Sequence, residues 1–370
     1  MRDGRNIVVC CDGTANEFRE HNTNVVRLYQ VLLRDPARQL ACYHPGLGTI
    51  EAVGAVTSMT RRVTKQLGKM VGYGLESDLR DLYVFLMRHY EPGDRLFLFG
   101  FSRGAYTVRA LVGLLQFYGL MGPENEPLVP YAIRRLVAAN REARRDPGAR
   151  NAPFKLAGRF KATFGTRACK PHFVGVWDTV SSVGWIANPL RVPGTANSRD
   201  VATARHALAL DERRAFFRTN RWSSVAHPRD GGPGDLKEVW FAGVHSDVGG
   251  GYPEEPGEGR RDLWKFSLDW MLREAEQAGL LVDDARKKAV LGEPADPNAG
   301  RHESLTGWWH VAEFVPRRVG EQDSNGEWHM RWRMNLYQPR EPRKGDAMHW
   351  SVLARDSHGA RVPSNYRVEK

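Results

Sequence analysis

Gly100-Phe101-Ser102-Arg103-Gly104-Ala105 sets a serine between two glycines, after the apolar run Arg95–Phe99 and before the amphipathic stretch Ala105–Phe117. A serine at the apex of a strand–turn–helix is a nucleophile elbow, in which a sharp, strained turn lifts the hydroxyl clear of the sheet. Residues two before and two after must be small, because strand and helix converge there; Gly100 and Gly104 meet that need. The helix start also brings the Arg103 backbone N–H and the positive end of the helix dipole to the place where an oxyanion would develop. The chemistry such a unit suits is acyl transfer to the serine.

A serine hydroxyl needs a base, and the base needs an orienting partner. Asp178 directly follows the apolar run Phe173–Trp177, and His245 directly follows Glu238–Val244 in FAGVHSDVGGGY. Their order, Ser102, Asp178, His245, is the order found in α/β-hydrolases. Each interval is long enough for a crossover helix. All three fall at carboxyl ends of expected parallel strands, where open α/β sheets place their sites. His349, in MHWSVLAR, is the alternative base, and His44 a rival upstream of the serine. Asp247 is expected to support His245 from behind. His245 and Asp247 are too few for a zinc site, which takes three or four protein ligands, so no metal is expected.

Cys11-Asp12-Gly13-Thr14 ends the first apolar run with a D-G-T that resembles the opening motif of aspartyl-phosphate phosphatases, but Cys10 stands where their nucleophilic carboxylate belongs. A better use is the other half of an oxyanion hole, with a backbone N–H from Gly13 or Thr14 and Asp12 in support.

These positions need a frame. Asn6–Cys11, Gln39–Tyr43, Arg95–Phe99, Phe173–Trp177 and Glu238–Val244 read as strands, and Val25–Leu33, the segment carrying Leu75 to Leu86, Ala105–Phe117 and Trp264–Ala278 as helices. Alternation of this kind predicts an α/β fold with a mostly parallel sheet and helices on both faces. Residues 1–280 are expected to form the core, and 281–370 a connector and β-rich C-terminal extension packed on it within the same domain. Residues 140–170, rich in Arg and Lys, read as a basic cap or linker. Trp328, Met330, Trp332, Met334 and Leu336 alternate with polar residues, predicting a half-buried strand.

The 370 residues carry 54 basic and 43 acidic side chains, a net charge of +11. That balance favours anionic partners, an anionic membrane surface among them; with no nucleic-acid motif, nucleic acid is not expected. Four cysteines without paired spacing argue against a disulfide or zinc scaffold. No run approaches the roughly 18 apolar residues of a spanning helix, and no signal peptide is evident. The expectation is a cytoplasmic protein, with signal-less export by a dedicated machine as the other route.

Taken together, VVCCDGTANE, NTNVVRLY, YHPGLGT, GFSRGAYTVRAL, VGVWDTV, GVHSDVGGGY and MHWSVLAR resemble the DUF2235 family over positions 8 to 355. Its better understood members are α/β-hydrolase phospholipase effectors of type VI secretion. The resemblance implies lipid or other carboxylic ester substrates, no cofactor, and Ser102, Asp178 and His245 at the family's catalytic positions. The secreted phospholipases carry membrane-associating modules, whereas this chain is close to the catalytic part alone. A housekeeping esterase, or an effector needing a partner, stays open. The reading from a different class is a non-catalytic scaffold on the same fold, recruiting an acidic partner or membrane.

Overall fold

Strand β1 (Asn6–Cys11) is buried at every position. A strand that is apolar from Ile7 onwards and has no exposed face belongs inside a sheet covered on both sides. The computed structural model shows that arrangement; it describes residues 4–13, 21–46, 60–145, 152–180, 184–185, 188–189, 198–215, 217–222, 232–253, 261–306, 310, 313–314, 316–322, 328–355 and 362–370. The strands that follow are β2 (Gln39–His44), β3 (Arg95–Phe101), β4 (Pro171–Trp177), the two-residue β5 (Gly184–Trp185) and β6 (Asn188–Pro189), β7 (Thr203–Ala209) and β8 (Asp235–Phe241). The last four are β9 (Arg317–Gln322), β10 (Trp328–Arg333), β11 (Ala347–His349) and β12 (Arg367–Glu369). Eight of them form one sheet in the order β12-β11-β8-β7-β4-β3-β1-β2. Every pairing within it is parallel.

Period-two alternation sorts the strand side chains into two cores. Ile7, Val9, Leu96, Leu98, Val174 and Val176 pack on helices α2 (Thr60–His89), α3 (Arg103–Tyr118), α4 (Val129–Arg145) and α5 (Ala152–Phe164). Val8, Phe97, Phe99, Phe173 and Trp177 face the other way, towards α1 (Asn24–Val31), α6 (His245–Gly249) and α7 (Trp264–Gln277). The aromatic face fits because Gly175 leaves room: a Cβ there would stand 2.6 Å from Met271 Sδ and 2.8 Å from Phe99 Cδ1. The result is the expected α/β fold. No helix among the described residues is long and apolar enough to cross a membrane.

Four expectations change. Strand β7, TARHALA, is not marked by the sequence pattern, because Arg205 and His206 interrupt its apolar run; both are buried, Arg205 against Glu274 and Asp235, His206 against Glu238. The basic segment 140–170 is not a cap or linker where it is described. It contains the end of α4 and all of α5, whose Ala157 and Phe160 are buried in the core while Phe154 is exposed. Amphipathic spacing of Ala157 and Phe160 outweighs the local density of charge. The connector 281–300 holds a further helix, α8 (Asp284–Leu291), capped by Asp283 accepting from the Arg286 N–H. Finally, β10 pairs with β9 outside the main sheet, and Trp332, Met334 and Leu336 are exposed while Asn335 is buried. Arg333, the last residue of β10, is exposed as well, so the alternation in residue type carries no alternation in burial. In the same C-terminal region, β11 and β12 continue the main sheet beyond β8.

Candidate active site

Because the strands run parallel, the residues that follow β3, β4 and β8 emerge on one edge of the sheet. Ser102 comes directly after β3 and is bent to φ 58°. Asp178 comes directly after β4 and is bent to φ 38°. Left-handed backbone at two non-glycine residues costs of order 1 kcal/mol or more each and persists only where surrounding contacts enforce it. Here they do: the Ser102 N–H donates to Trp177 O at 3.0 Å and the Asp178 N–H to Ala207 O at 2.8 Å.

The elbow is tight for the reason its sequence indicates. A Cβ on Gly100 would lie 2.7 Å from the Gly104 carbonyl oxygen. On Gly104 it would lie 2.2 Å from Cys11 O and 2.4 Å from Asp12 O. Helix α3 is thus pressed against the end of β1, and Arg103 opens the helix immediately beside Ser102.

His245 lies four residues beyond the end of β8, which stops at Phe241 rather than Val244, and it starts the short helix α6. Its Nε2 stands 2.8 Å from Ser102 Oγ and its Nδ1 2.6 Å from Asp178 Oδ2. The carboxylate selects the Nδ1–H tautomer, leaving Nε2 to accept from the serine hydroxyl. The imidazole is buried, with Phe101 tilted against it at 4.6 Å and Phe217 edge-on at 4.8 Å. Its backbone N–H points to Glu212 Oε2 at 3.3 Å. These contacts fix the ring, so the three side chains form a continuous hydroxyl–imidazole–carboxylate relay.

Asp178 also receives the Ala209 N–H at 3.1 Å and both terminal nitrogens of Arg340, at 2.6 and 3.0 Å. Burial on its own would raise this carboxyl. The Arg340 charge and the His245 hydrogen bond outweigh burial and hold it well below the usual carboxylate range. Nothing in the sequence spacing marks Arg340, which sits between Pro339 and Glu341-Pro342 in a region crowded with arginines. Nor does the spacing mark His206 or Glu212. His206 Nε2 accepts the Thr179 N–H at 3.2 Å and so supports the Asp178 turn from beneath.

The other expected residues are placed as follows. Asp12 is buried; its Oδ2 accepts from Thr23 Oγ1 at 2.5 Å and from the Tyr43 hydroxyl at 3.0 Å. Its Oδ1 takes the Gly13 N–H at 2.7 Å. This corrects the oxyanion expectation for Gly13: a buried carboxylate demands donors, and this one captures the N–H of its own neighbour. Thr14 lies outside the described residues. Asp247 binds the Val244 N–H at 3.0 Å and His302 Nδ1 at 2.5 Å, bracing α6 rather than touching the His245 ring. His349, the alternative base, is elsewhere. It is bonded to Ser351 Oγ at 2.8 Å and stacked on Phe241, and burial lowers its pKa to about 3. His44 turns to Asp81 at 3.6 Å. Among the described residues, no group of three or more His, Cys, Asp or Glu is arranged to hold a metal ion.

Residues 5–274 match the family described as T6SS phospholipase effector Tle1-like, catalytic domain. An uncharacterized protein of Saccharomyces cerevisiae is 36% identical over 223 residues, covering 58% of this chain and 32% of its own length. The chain therefore spans about a third of that relative. A crystal structure of an uncharacterized protein from Pseudomonas aeruginosa aligns at 21% identity with a TM-score of 0.46, over 80% of this chain and 49% of the other. The Tle1 effector, solved bound to the VgrG spike of the type 6 secretion system, aligns at 14% identity with a TM-score of 0.43, over 100% and 95%.

Proposed function

The chain belongs to the Tle1-like phospholipase effector catalytic domain family, and from that premise we propose that it is a serine hydrolase of carboxylic esters, acting on phospholipid acyl chains. The observation that carries this reading is the relay of 2.8 and 2.6 Å through Ser102, His245 and Asp178. Ser102 Oγ attacks the ester carbonyl as His245 Nε2 takes its proton. The carbonyl oxygen becomes an oxyanion beside the start of α3, where the Arg103 N–H and the helix dipole are offered; one such donor is worth about 3 kcal/mol in comparable sites. Asp178 stabilises the imidazolium, which then protonates the departing alcohol. Water, activated by the same imidazole, releases the acid and restores Ser102.

An acyl chain on a lipid surface, rather than a small dissolved ester, is supported by a second feature. Phe314, Met334, Leu336 and Tyr337 are large, apolar and exposed. They are joined to the site rim through Glu313, which is fully buried and accepts from the Ala215 N–H, Asn335 Nδ2 and the Tyr337 N–H. The loop it holds carries Phe217, which packs on His245. With the positive net charge of the chain, this apolar set suits an anionic bilayer.

Purified protein should release fatty acid from phospholipid vesicles and label with a fluorophosphonate at Ser102. Ser102→Ala should lose both. Turnover unchanged in Ser102→Ala would end the serine mechanism, and silence of the folded wild type towards esters and probe alike would favour a scaffold role.

A further inference from the structure

The fourth partner of the relay comes from outside the segment that matches the family. Arg340 lies well beyond residue 274, is buried, and spends its donors on few acceptors. Nη1 binds Asp178 Oδ1 at 2.6 Å and Ala209 O at 2.8 Å; Nη2 binds Asp178 Oδ2 at 3.0 Å and Phe217 O. A planar guanidinium gripping both carboxylate oxygens fixes the plane of that carboxylate as well as its charge. Asp178 Oδ2 is thereby shared between Arg340 and His245 Nδ1.

The electrostatic consequence has a definite sign. With Arg340 in place, Arg, Asp and neutral His sum to zero, and proton capture by the imidazole makes the trio positive. Without it the trio starts negative, and proton capture neutralises it. Protonation of the imidazole is therefore easier when Arg340 is absent. The other charges facing this point do not reverse the argument. Glu212 meets the His245 N–H but is itself paired with Arg214. Asp247 on α6 is turned to His302. Glu238 lies behind His206 and is paired with Arg221.

We propose that Arg340 is a positioning residue acting through Asp178: it locks the carboxylate towards His245 Nδ1 and offsets its charge, so that removing it changes both the aim of the carboxylate and the charge beside the imidazole. This rests on the serine-hydrolase reading of Ser102, Asp178 and His245. It also makes the C-terminal segment part of the reactive apparatus, not a covering.

The test compares the full chain with Arg340→Met and Arg340→Lys. In each, the acid limb of kcat/KM for a soluble p-nitrophenyl ester is recorded. The pH midpoint of the downfield NMR resonance of the proton between His245 Nδ1 and Asp178 is followed in parallel, which needs no substrate. In Arg340→Met both midpoints should rise by about one unit, with kcat at the alkaline plateau down about tenfold and KM unchanged. Arg340→Lys keeps the charge without the fork, so its midpoints should stay near wild type while the plateau recovers only in part. If Arg340→Met fails to fold, Arg340→Gln, a donor without charge, takes its place with the same expectation. Midpoints that stay put while both variants lose stability equally would reduce Arg340 to a brace between Ala209 and Phe217. A wild type inactive on esters and unlabelled at Ser102 would overturn the hydrolase reading instead, leaving the NMR comparison to decide the Arg340 claim.

Discussion

His206 Nδ1 lies 2.9 Å from Glu238 Oε1, fully buried behind the turn that carries Asp178. The pair does two things at once. Glu238 orders the imidazole so that Nε2 accepts from Thr179, and the imidazole helps hold Glu238 down to about 2 against a burial effect that would raise it. Replacing His206 with Phe keeps the volume but strands the Thr179 N–H and removes a donor from a buried carboxylate. That should cost about 2–4 kcal/mol in urea unfolding and lower kcat by about ten- to a hundredfold as the Asp178 turn shifts. His206→Gln, which can restore one of the two bonds, should recover part of both losses. A His206→Phe variant as stable as wild type would show that the Asp178 turn stands without this support.

His349 gives the fold a calculable acid sensitivity. Burial first, and Arg273 second, lower its pKa to about 3, against about 6.5 in the unfolded chain. The charged form is thus disfavoured in the folded state. Its stabilising share is complete above about pH 6.5 and drains away as pH falls towards about 3, at up to about 1.4 kcal/mol per unit. Asparagine at this position keeps a capping oxygen for the Ser351 N–H and cannot titrate. His349→Asn should be less stable at neutral pH because of the void. Between about pH 5.5 and about 4.5 its stability should fall less steeply than wild type, by about that amount per unit. Parallel slopes in chemical denaturation across that range would contradict the assignment.

The elbow glycines allow a paired test. Gly104→Ala pushes a methyl against the Cys11 and Asp12 carbonyls, both backbone and neither able to swing aside. It should destabilise by about 1–3 kcal/mol and abolish fluorophosphonate labelling, because α3 must move off β1. Gly158, on the exposed side of α5, has nothing within 4 Å of an added Cβ. Gly158→Ala should therefore stabilise by about 0.5–1 kcal/mol with labelling unchanged. Equal Tm shifts in the two variants would rule out the packing account of the motif.

What the sequence made legible follows from the same physics. Strand β1, β3 and the Ser102 elbow were readable because the sheet interior demands unbroken apolar runs and the turn demands small residues at fixed offsets. Asp178 and His245 were readable because parallel strands deliver their carboxyl ends to one edge. Strand β7 was not, since Arg205 and His206 are buried on it and their compensation comes from Glu274, Asp235 and Glu238, all distant in sequence. Arg340 escaped for a related reason: its acceptors, Asp178, Ala209 and Phe217, lie more than a hundred residues away. Gly13 was misassigned because a local carboxylate competed for its N–H, a contact that depends on how far Asp12 is buried.

The apolar set near the site rim separates lipid surface from dissolved substrate. Leu336 is 54% and Phe314 51% exposed, so aspartate at either position costs little folding energy. Neither side chain takes part in the hydrogen bonds that the Glu313 carboxylate accepts from Asn335 and Tyr337. On a bilayer the same substitutions bury a carboxylate at the apolar boundary and repel anionic headgroups. Leu336→Asp and Phe314→Asp should therefore lower fatty-acid release from anionic vesicles by about tenfold or more. Turnover of a short soluble ester, and the Tm, should stay within about twofold and about two degrees of wild type respectively. Cosedimentation with vesicles should fall in step with release, and raised salt should weaken the wild type's binding towards the variants' level. Equal losses on soluble and vesicle substrates would place these residues in the fold of the site and not at a lipid boundary.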